Sequence, residues 1–158
     1  MVMHTVKQRR AWIVLALAAL GGVAMATRAH AADGLDLAQL RGKVVYLDFW
    51  ASWCKPCRES FPWMNSVQSA YAKQGVVVVA VNVDQERALA DAFLKQYPAQ
   101  FQVYYDPSGK LAETYRVVGM PSSFLIDRSG AVRYRHVGFR AADRDQLGDE
   151  LHRLVADH

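Results

Sequence analysis

Cysteine is scarce in this sequence, because only Cys54 and Cys57 occur among its 158 residues. A closed zinc site usually takes four ligands, and beyond this pair residues 32–158 offer only the scattered histidines His136, His152 and His158, so we expect no structural metal site. A stabilising disulfide more often closes a long loop, since the entropy removed from the unfolded chain grows with loop length. A bridge across two residues would stabilise little. The spacing therefore favours redox switching over a purely structural bridge.

Net charge is also lacking once the first 31 residues are set aside. The chain carries a formal charge of +4, but Lys7, Arg9, Arg10 and Arg28 are four of its 19 basic residues. The 15 basic residues that remain balance 15 aspartates and glutamates. A formally neutral domain gives no basis for a basic patch, so we expect no nucleic-acid partner.

The first 31 residues have the pattern of an export signal. Basic residues precede an uncharged run, residues 11–26, and Ala29-His30-Ala31 has the small-x-small form of a cleavage site. Sixteen apolar residues are short against the roughly 20 that cross a bilayer, which favours cleavage over retention as an inner-membrane tether. In either case we expect residues 32–158 to form a domain outside the cytoplasm, in the periplasm.

Residues 32–158 alternate between strand-like apolar runs and amphipathic segments. Strands are predicted at 44–50, 76–83, 101–105, 122–127 and 132–137, and helices at 54–73, 85–97, 110–116 and 140–156, after a polar lead-in at 32–40. The first strand is apolar almost throughout, which indicates burial on both faces, whereas the last alternates and suits an edge. A β-α-β first half followed by a hairpin and a helix predicts an α/β fold, with a central mixed sheet and helices on both faces.

Cys54 and Cys57 lie where the first strand meets the first helix. We predict Cys54 at or next to the N-cap and Cys57 in the first helical turn, a spacing that meets the Cα separation of about 4.4–6.8 Å of a disulfide. Free N–H groups and the positive end of the helix dipole favour a thiolate at Cys54, and Lys55 adds a positive charge beside it. Cys54 is therefore the predicted nucleophile, and Cys57 resolves the mixed disulfide.

The segment Asp48–Cys57, DFWASWCKPC, resembles the active-site strand and helix start of thioredoxins. The longer pattern, over residues 35–155, resembles the exported TlpA/ResA-like branch and includes the stretches 57–64, 79–84, 104–106, 115–117 and 119–121. The resemblance implies a thioredoxin fold and a thiol-disulfide oxidoreductase that uses no cofactor. Two positions depart from the pattern of this branch. Gln85 stands where some members carry an acid, and Ser122-Ser123 replaces the threonines that often follow a cis-proline in the branch.

The resemblance also implies roles for individual residues. Pro121 is implied to be the cis-proline that faces the cysteines, with Met120 offering its backbone to an extended substrate segment. Asp48 occupies the place of the buried acid, whose raised pKa would suit proton exchange with Cys57; the alternative is a hydrogen bond at a polar rim. Trp53 is expected to be an exposed contact for partners, with a packing role as the alternative.

In function, the resemblance implies an enzyme that reduces disulfides in exported proteins, such as apocytochromes c during cytochrome c maturation or copper-site proteins before metal loading. Such a reductant needs a membrane thiol donor of electrons, because no soluble reducing pool is available outside the cytoplasm. Three alternatives stay open: an oxidant that donates its disulfide, a copper-binding or delivery module that uses the two thiolates, and a plain interaction domain. We expect the protein to be a monomer.

Overall fold

The computed structural model describes residues 35–157. The predicted export segment at 1–31 lies outside the described residues, so the predicted division of the chain at residue 32 stays a prediction. In the described part of the chain, no helix combines the length and the apolar character that crossing a bilayer requires.

Five strands and four α-helices form within the described residues. The strands are β1 (Val44–Trp50), β2 (Val76–Asn82), β3 (Gln102–Tyr105), β4 (Ser122–Ile126) and β5 (Val132–Val137), and the helices are α1 (Cys57–Tyr71), α2 (Arg87–Gln96), α3 (Lys110–Thr114) and α4 (Asp143–Ala156). Every predicted strand and helix is present, and β1 and β5 have the predicted bounds.

The strands make one sheet in the order β3-β2-β1-β4-β5. β2 runs parallel to both β1 and β3, whereas β4 runs antiparallel to both β1 and β5. The predicted mixed α/β sheet is thus confirmed, and β5 does lie at an edge. β1 occupies the centre, which explains why all seven of its residues are buried.

Alternate residues of β1 face two separate apolar cores. Tyr46 and Trp50 point to the core that contains α1, α2, α4 and both cysteines. Leu47 and Phe49 point to the other face, where α3 and the segment around Leu37 pack. Helices therefore cover both faces of the sheet, as the sequence pattern predicts.

Several segments differ from the prediction in structure or bounds, and the lead-in and the last helix are two of them. The polar lead-in contains a 3₁₀ helix, Leu37–Leu40, capped by the Asp36 carboxylate, which accepts a hydrogen bond from Ala38 N at 2.9 Å. The last helix begins at Asp143 rather than at residue 140, because the Asp143 carboxylate accepts a 2.9 Å hydrogen bond from Arg140 N and closes a turn ahead of the helix.

Candidate active site

Cys54 and Cys57 form a disulfide at the junction of β1 and α1. The sulfurs are 2.01 Å apart, and the Cα–Cα distance of 5.4 Å lies inside the range of ordinary disulfides. Both residues are buried, at 2% and 0% exposure, against the core on the α1 face of the sheet.

Helix α1 begins at Cys57, three residues later than predicted, with Pro56 as its N-cap. Proline has no N–H to donate, so Cys57 supplies the first free N–H of the helix. That N–H donates to Cys54 Sγ at 3.2 Å. Cys54 therefore lies ahead of the helix rather than at its cap, yet the helix N-terminus still contacts its sulfur.

A polar knot fixes the loop that leads from β1 to Cys54. We use this name for Ser52, Asn82 and Asp84. Asp84 Oδ2 accepts hydrogen bonds from Ser52 N and Asn82 Nδ2, both at 2.8 Å, and Asp84 Oδ1 accepts one from Ser52 Oγ at 2.9 Å. The Asn82 side chain returns a bond by accepting from Asp84 N at 3.1 Å. The end of β2 is thereby tied to the residue two positions before the first cysteine.

Asp48 lies in the middle of β1. It is two residues from both Tyr46 and Trp50, so its side chain points to the same face of the sheet as theirs, the face that packs against α1 and the cysteines. It is 1% exposed, and its Oδ2 has no hydrogen-bond partner among the described residues. Burial raises the pKa of the Asp48 carboxyl well above its ordinary range. The residue is therefore not at a polar rim. Burial, followed by the nearby Asp48 charge, also raises the pKa of Tyr46.

The Met120–Pro121 peptide bond is cis, as the resemblance implies. Ser122 pairs with Phe49 near the end of β1, so Pro121 lies at the end of the sheet from which the cysteine loop departs. Pro121 is buried, and its carbonyl accepts a 2.7 Å hydrogen bond from Gly138 N. Met120 is partly buried and packs against both cores.

Trp53, directly before Cys54, is 68% exposed, which fits an apolar contact for partners better than a packing role. Two further exposed valines lie near the cis-proline and were not predicted. Val118 is 80% exposed, and Val137, at 55%, pairs with Ser122 across the β4–β5 ladder. The sequence signal for the exposure of Val137 was its place as the last residue of a strand predicted to lie at an edge.

The polar knot was also not predicted as part of the site. Its only sequence signal was a pair of polar residues, Asn82 and Asp84, at the end of an otherwise apolar strand. Gln85, which replaces the acid of some relatives, is exposed. Ser60, in contrast, is fully buried below the cysteines, and its hydroxyl donates to the Cys57 carbonyl at 3.1 Å.

Comparisons with known proteins agree on one family. The AhpC/TSA family model matches residues 24–135. The thiol-disulfide oxidoreductase ResA of Bacillus thuringiensis subsp. konkukian is 40% identical over 121 residues, which are 77% of this chain and 69% of that protein.

Solved structures give the same result. A Chlorobium tepidum protein described as a thiol:disulfide interchange protein DsbE is 52% identical with a TM-score of 0.76, covering 77% of this chain and 86% of that one. StoA from Bacillus subtilis is 28% identical with a TM-score of 0.60, covering 69% of this chain and 82% of that one. The predicted thioredoxin-like fold is thereby confirmed.

Proposed function

We propose that this chain, a thiol-disulfide oxidoreductase that belongs to the AhpC/TSA family, works as a reductant of disulfides in proteins outside the cytoplasm. The observation that carries the proposal is the Cys54–Cys57 disulfide itself. It joins the loop that follows β1 to the first residue of α1, and the Cys54 sulfur contacts the N-terminus of that helix. A bridge that spans two residues suits reversible opening, because it constrains little of the unfolded chain.

In the proposed reaction, Cys54 of the reduced protein is the nucleophile. Its thiolate attacks one sulfur of the substrate disulfide, the substrate S–S bond breaks, and the departing substrate sulfur takes up a proton. The Cys57 N–H and the neighbouring exposed Lys55 favour the negative charge on Cys54. The product of this step is a mixed disulfide between Cys54 and the substrate.

Cys57 then resolves the mixed disulfide. Deprotonated Cys57 attacks Cys54 Sγ, which restores the internal disulfide and releases the second substrate sulfur as a thiol. Two electrons pass from the protein to the substrate. Asp48 is the proposed acceptor of the Cys57 proton, since a buried carboxyl with a raised pKa and an unpartnered oxygen binds a proton more readily than an exposed carboxyl does.

Trp53, Met120 and Pro121 are the proposed contacts for the substrate. The exposure of Trp53 and the position of the cis-proline at the same end of the sheet support this surface. An extended substrate segment would pair with the backbone at Met120, while its apolar side chains would contact the Trp53 ring.

The proposed setting is the periplasm, reached through the export segment at 1–31, either released by cleavage or tethered to the inner membrane. The proposed substrates are exported proteins with disulfides, such as apocytochromes c or copper-site proteins. The electrons would come from a membrane thiol donor, since the compartment has no soluble reducing pool. Neither a cofactor nor a nucleic-acid partner is required, and a monomer suffices.

The reduction potential of the Cys54–Cys57 couple tests the proposal. We expect a value of about −250 mV or below when the purified protein is equilibrated with glutathione or dithiothreitol buffers. A value near −120 mV, as in disulfide donors, would reverse the direction of electron flow and make the protein an oxidant. Tight, stoichiometric copper binding by the reduced protein, with weak turnover of disulfides, would favour copper delivery instead.

A further inference from the structure

The polar knot places a buried acid beside the loop of the nucleophile. Asp84 is 5% exposed and accepts three hydrogen bonds while its carboxylate oxygens donate none. Both of its oxygens act as acceptors in the knot, which is the hydrogen-bonding pattern of a carboxylate. Asp84 comes from the end of β2, 32 residues along the chain from Ser52, so only the tertiary fold brings it to the cysteines.

Chain geometry sets an upper bound on the distance between the Asp84 carboxylate and Cys54. Asp84 Oδ2 lies 2.8 Å from Ser52 N, and Cys54 follows Ser52 by two residues. Two residues of chain span at most about 7 Å, so the carboxylate lies within roughly 11 Å of the Cys54 Cα. The loop also turns back on itself, because Cys54 N donates to the Ala51 carbonyl at 3.1 Å.

We propose that Asp84 is a positioning residue for Cys54 whose negative charge also disfavours the Cys54 thiolate, and thereby makes the Cys54–Cys57 pair a stronger reductant. The two hydrogen bonds to Ser52 hold the loop at a fixed distance from the charge. A negative charge raises the free energy of a nearby thiolate and leaves the uncharged disulfide almost unaffected. Destabilising the reduced form lowers the reduction potential.

The half-reaction shows where the charge acts. In alkaline solution the disulfide takes up two electrons and one proton and yields one thiolate, at Cys54, and one thiol, at Cys57. Only the reduced side carries the charge that Asp84 repels. With an effective dielectric constant of about 20 and a separation of about 10 Å, the repulsion corresponds to roughly a tenfold change in equilibrium constant.

Other charged groups lie near this loop along the chain or in the sheet and are unchanged in an Asp84 variant. They are Asp48 on β1, Lys55 beside Cys54, Arg58 and Glu59 in the first turn of α1, and Glu86 after β2. Lys55, Arg58, Glu59 and Glu86 are exposed and so are screened by solvent and salt, whereas Asp84 is buried and screened much less.

The deciding variant is Asp84→Asn, because it removes the charge while the knot can persist. The asparagine oxygen can accept from Ser52 N and Asn82 Nδ2, and its amide can donate to Ser52 Oγ, which then accepts. We expect the ionisation constant of the Cys54 thiol, measured by thiolate absorbance in the reduced protein, to increase about tenfold. At a pH where Cys54 is ionised in both proteins, the potential should rise by about 30 mV.

Three further variants make the result specific. Glu86→Gln removes a negative charge at an exposed position two residues from Asp84. It should change the ionisation constant of the Cys54 thiol and the equilibrium constant of the Cys54–Cys57 couple by less than twofold. Ser52→Ala keeps the charge and loses one contact, so its potential should stay close to that of the wild type. Asp84→Ser, a second neutral variant with an oxygen acceptor, should shift both quantities in the same direction as Asp84→Asn and serves if Asp84→Asn does not fold.

The inference is overturned if the neutral Asp84 variants fold and the equilibrium constant of their Cys54–Cys57 couple stays within twofold of the wild-type value. It is also overturned if Glu86→Gln shifts that equilibrium constant as much as Asp84→Asn does. It deepens the proposed reductant function but fails separately from it. A wild-type potential typical of disulfide donors would sink the proposed direction of electron flow, whereas the difference between Asp84→Asn and wild type tests the role of Asp84 at any absolute potential.

Discussion

Asp48 in the middle of β1 and Asp84 just beyond β2 are both buried, yet their surroundings are opposite. Asp48 Oδ2 has no hydrogen-bond partner among the described residues, and its neighbours across the sheet are Ala80 and Ser123. Asp84 accepts three hydrogen bonds. Burial alone therefore does not define the role of a carboxyl. The number of donors around it separates a carboxyl with an unpartnered oxygen from one that anchors a loop.

The difference follows from position along the strands. Within a central strand every backbone N–H is already used by the sheet, so a carboxyl at Asp48 meets no free donors. Beyond the end of a strand, loop N–H groups are free, and Asp84 captures the one at Ser52. The same type of side chain is thus the proposed proton carrier at Asp48 and an anchor for a loop at Asp84.

The largest effect should come from removing the nucleophile Cys54, because the proposed roles of both carboxylates matter only when Cys54 can form the mixed disulfide. Cys54→Ser should lower turnover of a protein disulfide by at least about a thousandfold, because serine cannot form the mixed disulfide. In that background, Asp48→Asn and Asp84→Asn should change the activity no further. Full activity of Cys54→Ser in cells would instead support a plain interaction domain.

The next largest effect should come from removing the Asp84 carboxylate, whose oxygens are the acceptors of the polar knot. Asp84→Ala leaves three donors without a partner, so we expect the free energy of unfolding of the oxidised protein to fall by about 2–4 kcal/mol in urea titrations. Glu86→Ala, at an exposed site, should change it by less than about 0.5 kcal/mol. Equal effects of the two variants would remove the distinction between the knot and the surface around it.

Asp48→Asn should change the free energy of unfolding in the opposite direction to Asp84→Ala, and the size of the change should depend on pH. Burial raises the folded-state pKa of Asp48 above its unfolded value of about 3.9, so the folded protein binds this proton more tightly than the unfolded chain. The contribution of this proton to the free energy of unfolding is fully present below the unfolded pKa of Asp48. It is lost as the pH rises through the folded pKa. Wild type should therefore lose stability relative to Asp48→Asn as the pH rises above the unfolded pKa, by about 1.4 kcal/mol for each pH unit up to the folded pKa.

Urea titrations of both proteins at pH 4, 6 and 8 measure this difference, and parallel pH profiles would contradict it. The same variant tests the proposed proton transfer. Resolution of the mixed disulfide by Cys57 should slow by about 10- to 100-fold in Asp48→Asn, since the acceptor for the Cys57 proton is missing.

The smallest expected effect belongs to a single hydroxyl in the polar knot. Ser52→Ala removes the bond from Ser52 Oγ to Asp84 Oδ1 and leaves the bond from Ser52 N in place. We expect a loss of about 1 kcal/mol in the free energy of unfolding, measured in the same titrations. A loss as large as that of Asp84→Ala would mean that the hydroxyl, and not the backbone N–H, carries the knot.

Much of the fold was predictable, because its signals are local. The apolar run of β1 marked the centre of the sheet, and the alternation of β5 marked an edge. The start of α1 was predicted at Cys54 but lies at Cys57, since residue periodicity does not show where a proline-containing turn ends. The 3₁₀ helix at Leu37–Leu40 was missed because its four residues are too few for a periodic pattern.

What the sequence by itself determined is the pairing of Cys54 with Cys57, the run of apolar strands and the presence of an acid at residue 48. Each of these depends on residues close together in the chain. Only the tertiary structure decided that Asp84 reaches Ser52, and that Asp48 is left without a partner at its Oδ2. Both depend on which strand ends meet, and strand register is set by packing of the whole sheet rather than by the sequence near either residue.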